Sequence, residues 1–272
     1  YLSAGINLGG PVVKDRLWFY GAIERQDEKT AYWNMPPVYA ASYPANKAFF
    51  KLSAQPTSRH KLAGSIYYED NEWPEDIEYW IPESSRGIET AKTYAWNFLY
   101  NWQLSNSAFL ELKYAGYHTK DDYLPVTGDM DTPPRLDKGT GWVSGGCINT
   151  LWKWTEYRHQ AHANVSYFAE DFLGGDHEFK LGAQYYHGDS RYASGYAGEG
   201  YYLDYYGVPY YFYQRDVYYV GSAENSFGVF VDDSWKIGDR LTLNLGFRFD
   251  FINAFVPELP IMDGWAGPSG EK

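Results

Sequence analysis

Between residues 93 and 104 the chain reads Thr93-Tyr94-Ala95-Trp96-Asn97-Phe98-Leu99-Tyr100-Asn101-Trp102-Gln103-Leu104. Every second residue from Tyr94 onward is large and apolar or aromatic, and the residues between them are mostly small or polar. A period of two places the six bulky side chains on one face of a β-strand. About 9–11 tilted residues suffice to cross a bilayer. The stretch therefore predicts a strand with one apolar face, long enough to span a membrane.

The same alternation recurs in five pairs of segments, each joined by a tight polar turn. The predicted hairpins cover residues about 2–26, 48–70, 92–119, 157–188 and 225–252. Long connections separate them at about 27–46, 71–89, 120–156 and 190–224. Outer-membrane barrels have short turns on the periplasmic side and long loops outside. A soluble sandwich tends to have shorter strands and mixed connection lengths. The ten segments therefore predict an all-β, antiparallel transmembrane β-barrel.

Ten strands are expected to form only part of a closed barrel. An open sheet in lipid would leave unpaired backbone groups along both edges, at a large cost in free energy. The remaining strands come either from a longer polypeptide, of which this chain is an internal segment, or from several copies of the chain. We favour the longer polypeptide.

Composition narrows the class further. Hydrophobic residues make up 44% of the chain and aromatic residues 20%, with 28 Tyr and 11 Trp. Such side chains suit membrane-interface girdles or surfaces that stack on sugars and other flat ligands. Four tryptophans are predicted to be girdle or lipid-facing residues: Trp18, Trp96, Trp102 and Trp235. The net charge of −12 argues against a nucleic-acid partner, because no basic stripe is available to neutralise phosphates.

The residues that usually carry catalysis are not arranged as a site, and we expect no enzymatic activity. The lone Cys147 is expected to be an inert loop cysteine, and the six histidines are scattered. His159 and His162 lie on one strand with opposite parity, so they should point to opposite faces. The glycines between Gly195 and Gly200 lack the Lys-Ser/Thr pair of a phosphate-binding loop.

Ligand contacts are expected in the long loops, because loops on a rigid scaffold carry binding. Residues 201–213 form the densest aromatic run, and an acidic-aromatic segment near residue 75 suits a cationic or polyhydroxyl ligand. Packing within the loops is the alternative role for these rings. The candidate ligand-binding residues are Trp73, Tyr79, Trp80, Tyr205, Tyr206, Tyr210 and Tyr211.

A calcium site is a weaker hypothesis. Asp129 and Asp131 offer carboxylates at positions i and i+2, followed by Asp137, and such oxygen ligands can begin a Ca²⁺ site. The spacing lacks the Gly and the distal Glu of an EF-hand. No other cofactor is expected.

Two hairpins resemble a known family. Residues 9–21, Gly-Gly-Pro-Val-Val-Lys-Asp-Arg-Leu-Trp-Phe-Tyr-Gly, resemble a hairpin early in the barrel of Oar-like TonB-dependent receptors, which carry a carboxypeptidase-regulatory-like domain. Residues 227–236 and 241–250 are similar to a hairpin widespread in that superfamily, with Asp232 where Gln is commoner. The resemblance implies an outer-membrane barrel of roughly 22 strands with a plugged lumen, of which this chain supplies about ten.

The resemblance also implies a function and partners. Such receptors import bulky nutrients, and the ligand here would be an oligosaccharide, a peptide or a metal chelate. Their partners are outer-membrane lipid and the TonB complex, the latter through a plug outside this sequence, with a surface lipoprotein or other outer-membrane proteins as further candidates. Strand parity predicts polar residues that face the lumen or plug: Lys51, Asn97, Asn101, Glu111, Lys113, Asn164, Asn244 and Arg248.

Two other functions are compatible with the sequence. A structural or adhesive outer-membrane component could dock partners through the long aromatic loops. A soluble carbohydrate-binding or hydrolytic all-β protein would share the strand content, but it would be extracted from cells without detergent.

Overall fold

Ten long strands form one antiparallel sheet in which every strand pairs with its neighbours in chain order. The computed structural model describes residues 1–31, 36, 40–259 and 265. The sheet consists of β1 (Leu2–Val13), β2 (Leu17–Thr30), β3 (Ala41–Thr57), β4 (His60–Pro74), β5 (Gly87–Gln103), β6 (Ala108–Pro125), β9 (Leu151–Phe172), β10 (Gly175–Gly195), β13 (Tyr218–Ile237) and β14 (Leu241–Phe255). The ten predicted strands and the antiparallel all-β class are confirmed.

A second, smaller sheet lies within two of the long loops. It consists of β7 (Pro134–Asp137), β8 (Val143–Gly145), β11 (Gly200–Tyr205) and β12 (Val208–Gln214), in the order β12-β11-β7-β8. Short 3₁₀ turns cover Glu83–Ser85 and Ala197–Glu199. None of the helical segments among the described residues is long and apolar enough to cross a membrane.

The connections differ in length between the two ends of the large sheet. At one end, two to four residues join β1 to β2, β3 to β4, β5 to β6, β9 to β10 and β13 to β14. Positive φ angles at Asp15, Leu173, Gly174 and Gly238 make these reversals tight. The long connections all lie at the opposite end and cover residues 31–40, 75–86, 126–150 and 196–217.

The strands extend further at their long-loop ends than the sequence pattern indicates. β9 begins at Leu151, β10 ends at Gly195 and β13 begins at Tyr218. In these extensions apolar and polar residues no longer alternate between the faces, as in Leu151-Trp152-Lys153-Trp154, although the backbone pairing continues. The paired sheet therefore extends beyond the alternating apolar band.

The register places the main alternating apolar row of each of the ten strands on one face. Phe98 lies across from Gly64 on one side and Tyr114 on the other, and Leu181 lies across from Val231. These side chains are exposed, and Phe247 on β14 is 67% exposed. A contiguous apolar face of this size is unstable in water and marks contact with an apolar medium. We call it the outer face and the opposite one the inner face.

Trp18 departs from its predicted orientation. Its neighbours Leu17 and Phe19 pair with Ala54 and Leu52 on the outer face, so Trp18 lies on the inner face. The prediction was wrong because both parities of β2 carry bulky residues at this point, and only the pairing with β3 distinguishes them. Trp96, Trp102 and Trp235 lie on the outer face, as predicted.

Glycines on the sheet make room for aromatic rings. A Cβ atom on Gly116 would overlap the carbonyl oxygen of Arg158 and the ring of Trp96, and one on Gly64 would lie 3.0 Å from the ring of Phe98. A ring that covers a cross-strand glycine fills the surface that the missing side chain leaves, and it helps to hold the register.

Phe98→Arg should destabilise the folded protein by about 2–4 kcal/mol if the outer face meets lipid, because an arginine near the membrane midplane carries that cost. The matched control is Asn97→Arg, one residue away on the inner face, where a charge can be hydrated. Urea titration of the full-length protein in lipid vesicles, followed by its heat-modifiable mobility on gels, measures both effects. Equal costs for the two variants would contradict the assignment of the faces.

Gly116→Ala should destabilise the sheet by about 1–3 kcal/mol, because the new methyl group collides with a backbone carbonyl that cannot move freely. Gly21→Ala is the matched control, since its Cβ would have no neighbour nearer than 3.9 Å. The same titration should show a change within about 0.5 kcal/mol for that control. A tolerated Gly116→Ala would mean that the β5–β6–β9 spacing differs from the one described.

Candidate ligand-recognition surface

Three of the long loops pack into one ordered unit at the end of the sheet. β11 pairs with β7 in parallel, with Leu203 across from Leu136, which joins the fourth loop to the third. The second loop adds two backbone hydrogen bonds, from the N–H of Val143 to the carbonyl of Trp80 (3.1 Å) and from the N–H of Ile148 to that of Ser85 (3.0 Å). Such pairing holds the loops as a defined surface.

A small core lies beneath this loop unit. Its buried members are Tyr123, Cys147, Leu151, Ala193, Ala197 and Trp265. Cys147 is a free cysteine, and burial raises the pKa of its thiol. A protonated, enclosed thiol reacts slowly, so the core role of Cys147 agrees with the inert cysteine predicted from the sequence.

Asp76 ties the second loop to this core. Its carboxylate accepts hydrogen bonds from the hydroxyl of Tyr123 (2.5 Å) and the side-chain amide of Asn149 (2.5 Å). Burial raises the pKa of Asp76 above its usual range, and these hydrogen bonds only partly oppose the shift. Burial likewise raises the pKa of the adjacent Glu75, with repulsion from Asp76 as the second cause. The two carboxylates add negative charge to the second loop.

Asp137, the last residue of β7, holds the turn of the β11–β12 hairpin. Its Oδ1 accepts the N–H groups of Gly139 (2.8 Å) and Tyr206 (3.0 Å), and its Oδ2 accepts that of Gly207 (2.7 Å). Desolvation opposes ionisation, but the backbone donors outweigh it and hold the pKa of Asp137 below its usual range. This aspartate therefore stays charged at neutral pH and fixes the tip of the hairpin.

A bidentate ion pair also links β7 to β11. The guanidinium of Arg135 donates to Asp204 at 2.9 and 2.7 Å, and it lies 4.3 Å from the ring centre of Tyr202. Two parallel hydrogen bonds together with a cation–π contact hold β7 and β11 in one geometry. Sequence reasoning missed this pair, because its members lie on different loops and no local spacing relates them.

Four of the predicted ligand-binding tyrosines lie on the β11–β12 hairpin and point into solvent. Tyr205 and Tyr206 make an edge-on contact at its turn, with ring centres 4.9 Å apart. Tyr210 is 81% exposed, and Tyr211 beside it is also exposed. Loop packing therefore leaves these rings available for contact with another molecule.

Tyr79 and Trp80 belong to a second aromatic group, which also includes Trp142. The ring of Tyr79 packs edge-on against Trp80 at 4.6 Å and against Trp142 at 6.2 Å. Trp142 is exposed and was missed from the sequence, because only the β7–β8 hairpin brings it to Tyr79. The N–H of Asp137 donates to the carbonyl of Trp142 (2.9 Å), so both aromatic groups flank the same hairpin.

Trp73 lies apart from these two groups. It pairs with Glu89 on the inner face, near the long-loop end of β4. Six of the seven predicted residues thus lie in the loop unit, and Trp73 lies on the inner face of the sheet near its long-loop end.

The eight polar residues predicted for the lumen all lie on the inner face by register. Several of them form a network, in which Lys113 contacts Glu111 at 2.8 Å and Asn164 donates to the same carboxylate at 3.2 Å. Arg248 pairs with Asp250 through two 2.7 Å hydrogen bonds. His162 lies across from Lys113 on this face, whereas His159 lies across from Gly116 on the outer face.

The structure gives the calcium hypothesis no support. Asp129 accepts hydrogen bonds from the N–H groups of Asp131 (2.9 Å) and Thr132 (3.1 Å) and from the hydroxyl of Thr132 (2.6 Å). Its oxygens therefore stabilise a local turn. Across the described parts of the chain, no three His, Cys, Asp or Glu side chains are grouped so as to hold a metal ion.

The chain matches one family model over most of its length. The model is described as TonB dependent receptor-like, beta-barrel, and it covers residues 28–267. No curated protein sequence matches the chain.

Solved outer-membrane receptors share the fold at low sequence identity. The transporter YddB from Escherichia coli has a TM-score of 0.66 at 14% identity, covering 93% of this chain and 34% of its own. BauA, the ferric preacinetobactin receptor from Acinetobacter baumannii, has a TM-score of 0.60 at 10% identity, with coverages of 93% and 40%. The ferric-catecholate import receptor Fiu from E. coli K12 has a TM-score of 0.59 at 9% identity, also with 93% and 40%. The chain thus spans well under half of each receptor.

Asp137→Ala should loosen the β11–β12 tip, because the amides of Tyr206 and Gly207 lose their acceptor. Hydrogen exchange at these two amides should become at least several-fold faster, while that of the β9–β10 ladder stays unchanged. Asp131→Ala, in the same loop region, is the control and should leave both amides protected. Unchanged exchange at Tyr206 and Gly207 in the Asp137 variant would show that the carboxylate does not hold the hairpin.

Proposed function

The chain belongs to the TonB-dependent receptor β-barrel family, and from that membership we propose that the complete protein imports a bulky nutrient through the bacterial outer membrane. Barrels of this family are outer-membrane proteins, so the outer face described above meets lipid. The ten strands supply part of the barrel wall. In the proposal, a barrel of roughly 22 strands is completed by other parts of the polypeptide.

One observation about this chain supports the proposal: its loop unit exposes aromatic rings, and hydrogen bonds within that unit hold the loops in place. The exposed tyrosines of β11–β12 and the Tyr79–Trp80–Trp142 group stand at the long-loop end, which is the extracellular end of such barrels. Rings on a rigid support bind with little loss of conformational entropy. This arrangement supports capture of a ligand from outside.

The proposed ligand is an oligosaccharide, a peptide or a metal chelate. Sugars and peptides stack on Tyr and Trp rings, and a chelate with aromatic groups does the same. The printed names of BauA and Fiu describe receptors for ferric preacinetobactin and ferric catecholate, which keeps metal chelates among the ligands to be tested. The iron in such a ligand would be cargo and not a resident cofactor.

The inner face would contact the plug and line the transport path. Its network of Lys113, Glu111 and Asn164, together with Arg248, presents charges of both signs. Such a surface can hold a folded plug through hydrogen bonds and can release it when TonB transmits energy. The hairpin of residues 9–21 supports the Oar-like subfamily within this proposal.

A structural or adhesive role is the second candidate, and the exposed β12 strand favours it. In the described residues β12 pairs only with β11, and all seven of its residues are exposed. An edge strand with free backbone groups can accept a strand from another protein. A surface lipoprotein or another outer-membrane protein would be the partner.

Uptake by cells that produce the full-length receptor distinguishes the two candidates. Labelled oligosaccharides, peptides and ferric chelates are supplied to otherwise identical cells with and without functional TonB. Transport predicts that at least one class accumulates only when both the receptor and TonB are present. Accumulation of none of the three, together with binding of another surface protein, would support the adhesive role instead.

Replacing Tyr210 and Tyr211 by Ala should weaken binding of the transported ligand by about 2- to 10-fold for each ring that contacts it, which is the usual value of one aromatic contact. Equilibrium binding to cells measures the effect. The control is Tyr167→Ala, an exposed outer-face tyrosine near the tight-turn end of β9. Unchanged binding in the double variant would remove the β12 tyrosines from the ligand site.

A further inference from the structure

The smaller sheet of the loop unit has one covered edge and one open edge. At the covered edge, the N–H of Val143 on β8 donates to the carbonyl of Trp80 in the second loop (3.1 Å). At the other edge, β12 pairs only with β11 among the described residues, and all seven of its residues are exposed. A strand in this position presents backbone N–H and C=O groups to any extended chain that approaches it.

The hydrogen-bond pattern of the hairpin shows which backbone groups of β12 point to the open edge. The N–H of Arg215, immediately after β12, donates to the carbonyl of Glu199 (2.9 Å). In an antiparallel pair every second residue bonds to the partner strand, so Tyr213 also directs its backbone groups toward β11. The N–H and C=O groups of Phe212 and Gln214 therefore point away from β11, to the open edge.

The beginning of β12 is unsuited to further strand pairing. Pro209 has no N–H, and Tyr210 is an extra residue in β12, since Leu203 and Asp204 pair with the residues on either side of it. A proline and a bulge each interrupt a ladder of hydrogen bonds. An added strand would therefore pair along residues 211–214, a length that suits a short peptide.

The open edge is held in one geometry by the contacts of the hairpin. Positive φ angles at Tyr206 (49°) and Gly207 (79°) form the tight turn before β12, and Asp137 accepts both of their N–H groups. On the strand itself, the ring of Phe212 packs against that of Tyr202 of β11, with centres 4.5 Å apart. A rigid edge loses little conformational entropy when a second strand is added to it.

Two tyrosines line one face of β12 beside the open edge. Tyr211 and Tyr213 are both exposed, with ring centres 6.5 Å apart, and Tyr213 stacks on Tyr201 of β11 at 5.2 Å. Directly opposed side chains on paired strands have Cβ atoms about 4.5–5.5 Å apart, so those of an added strand would contact these rings. Lysine or arginine side chains at such positions make cation–π contacts with tyrosine.

The charge of the loop unit favours a cationic ligand. Its loops at residues 75–86, 126–150 and 196–217 contain ten Asp or Glu and only four Lys or Arg. One of the four cations, Arg135, is already paired with Asp204. Complementary charge steers a basic molecule to such a surface, whereas an anionic metal chelate is repelled.

An extended peptide matches the open edge more closely than an oligosaccharide does. The N–H and C=O groups of a peptide repeat with the spacing of the strand, and those of a sugar chain do not. The seven residues of β12 include no charged side chain, so its backbone is the main set of hydrogen-bonding groups that it offers.

We propose that β12 captures an extended, basic peptide by strand addition along residues 211–214, and that such peptides are the ligands that the receptor imports. The backbone groups of Phe212 and Gln214 hold the peptide, and the rings of Tyr211 and Tyr213 contact its side chains. This inference rests on the proposed import function and selects one of its three ligand classes.

Fluorescence anisotropy with the purified full-length receptor tests the site, with a labelled hexapeptide of alternating lysine and valine as the probe. Gln214→Pro should weaken binding of this peptide by about 2- to 10-fold, because it removes one hydrogen-bond donor at the open edge, where a proline is tolerated. Gln214→Ala is the matched control, since it keeps the N–H and should bind as the wild type does.

Two changes in the peptide test the same contacts on the wild-type receptor, so they do not depend on how a variant folds. The hexapeptide N-methylated at every residue cannot donate backbone hydrogen bonds and should bind at least about tenfold more weakly. A hexapeptide with glutamate in place of lysine should also bind at least about tenfold more weakly, and this difference should shrink as salt is added.

Equal binding by the wild-type and Gln214→Pro receptors, or equal binding of the methylated and unmodified peptides, would overturn strand addition. Binding of a folded surface protein without binding of the free peptide would also overturn it and would support the adhesive role. TonB-dependent uptake of an oligosaccharide or a ferric chelate, but not of the peptide, would overturn the ligand class while import stands. Peptide binding without TonB-dependent uptake of any ligand would instead contradict import and retain the β12 site.

Discussion

Membrane hydrocarbon offers no hydrogen-bond partner to a peptide group. In this chain, a continuous antiparallel ladder of strands satisfies the peptide groups instead. Each strand pairs with its chain neighbour through an almost unbroken register, so the backbone groups of the interior strands are satisfied within the sheet. Once the ladder is fixed, the side-chain period of two decides on which face of the sheet each side chain lies. Phe98 and Phe247 must lie on the outer face, which meets lipid, and Asn97 and Arg248 on the inner face.

The same ladder explains how the loops form a defined surface. The strands continue beyond the apolar band, so the loops start from a hydrogen-bonded sheet. Asp76 and Asp137 then use their carboxylates to hold neighbouring loops, with opposite effects on their pKa values. Burial dominates at Asp76 and raises its pKa, whereas backbone donors dominate at Asp137 and lower it. The rings of the β11–β12 hairpin are exposed because backbone pairing and these carboxylates hold the hairpin in place.

The transmembrane part of the fold could be predicted from sequence because lipid imposes a local pattern. The alternation in residues 94–104 predicts the face on which each side chain lies, and this prediction needs no knowledge of the neighbouring strand. Trp18 shows where this logic stops, since both parities of β2 are bulky there and only pairing with β3 separates them. The strand ends could not be predicted either, because outside the apolar band no face needs to be apolar.

The loop unit depends on contacts between distant segments, and no local pattern reveals them. The parallel pairing of β7 with β11, the Arg135–Asp204 ion pair and the contact of Trp142 with Tyr79 join residues from different loops. The sequence did single out five aromatic residues that are exposed, because they lie in aromatic-rich runs: Tyr79, Tyr205, Tyr206, Tyr210 and Tyr211. It suggested calcium at Asp129 from oxygen spacing, a feature that turn-forming aspartates share.

Nitroxide spin labels test the face assignment most directly, placed one at a time at Phe98, Phe247, Asn97 and Asn244 of the full-length receptor in lipid vesicles. Collision rates with oxygen, which concentrates in hydrocarbon, and with a water-soluble nickel chelate report the surroundings of each label. High oxygen and low nickel accessibility at Phe98 and Phe247, with the reverse or a packed interior at the two asparagines, is the predicted result. Labels at both phenylalanines that respond to nickel as in bulk water, or that reach neither reagent, would contradict the account.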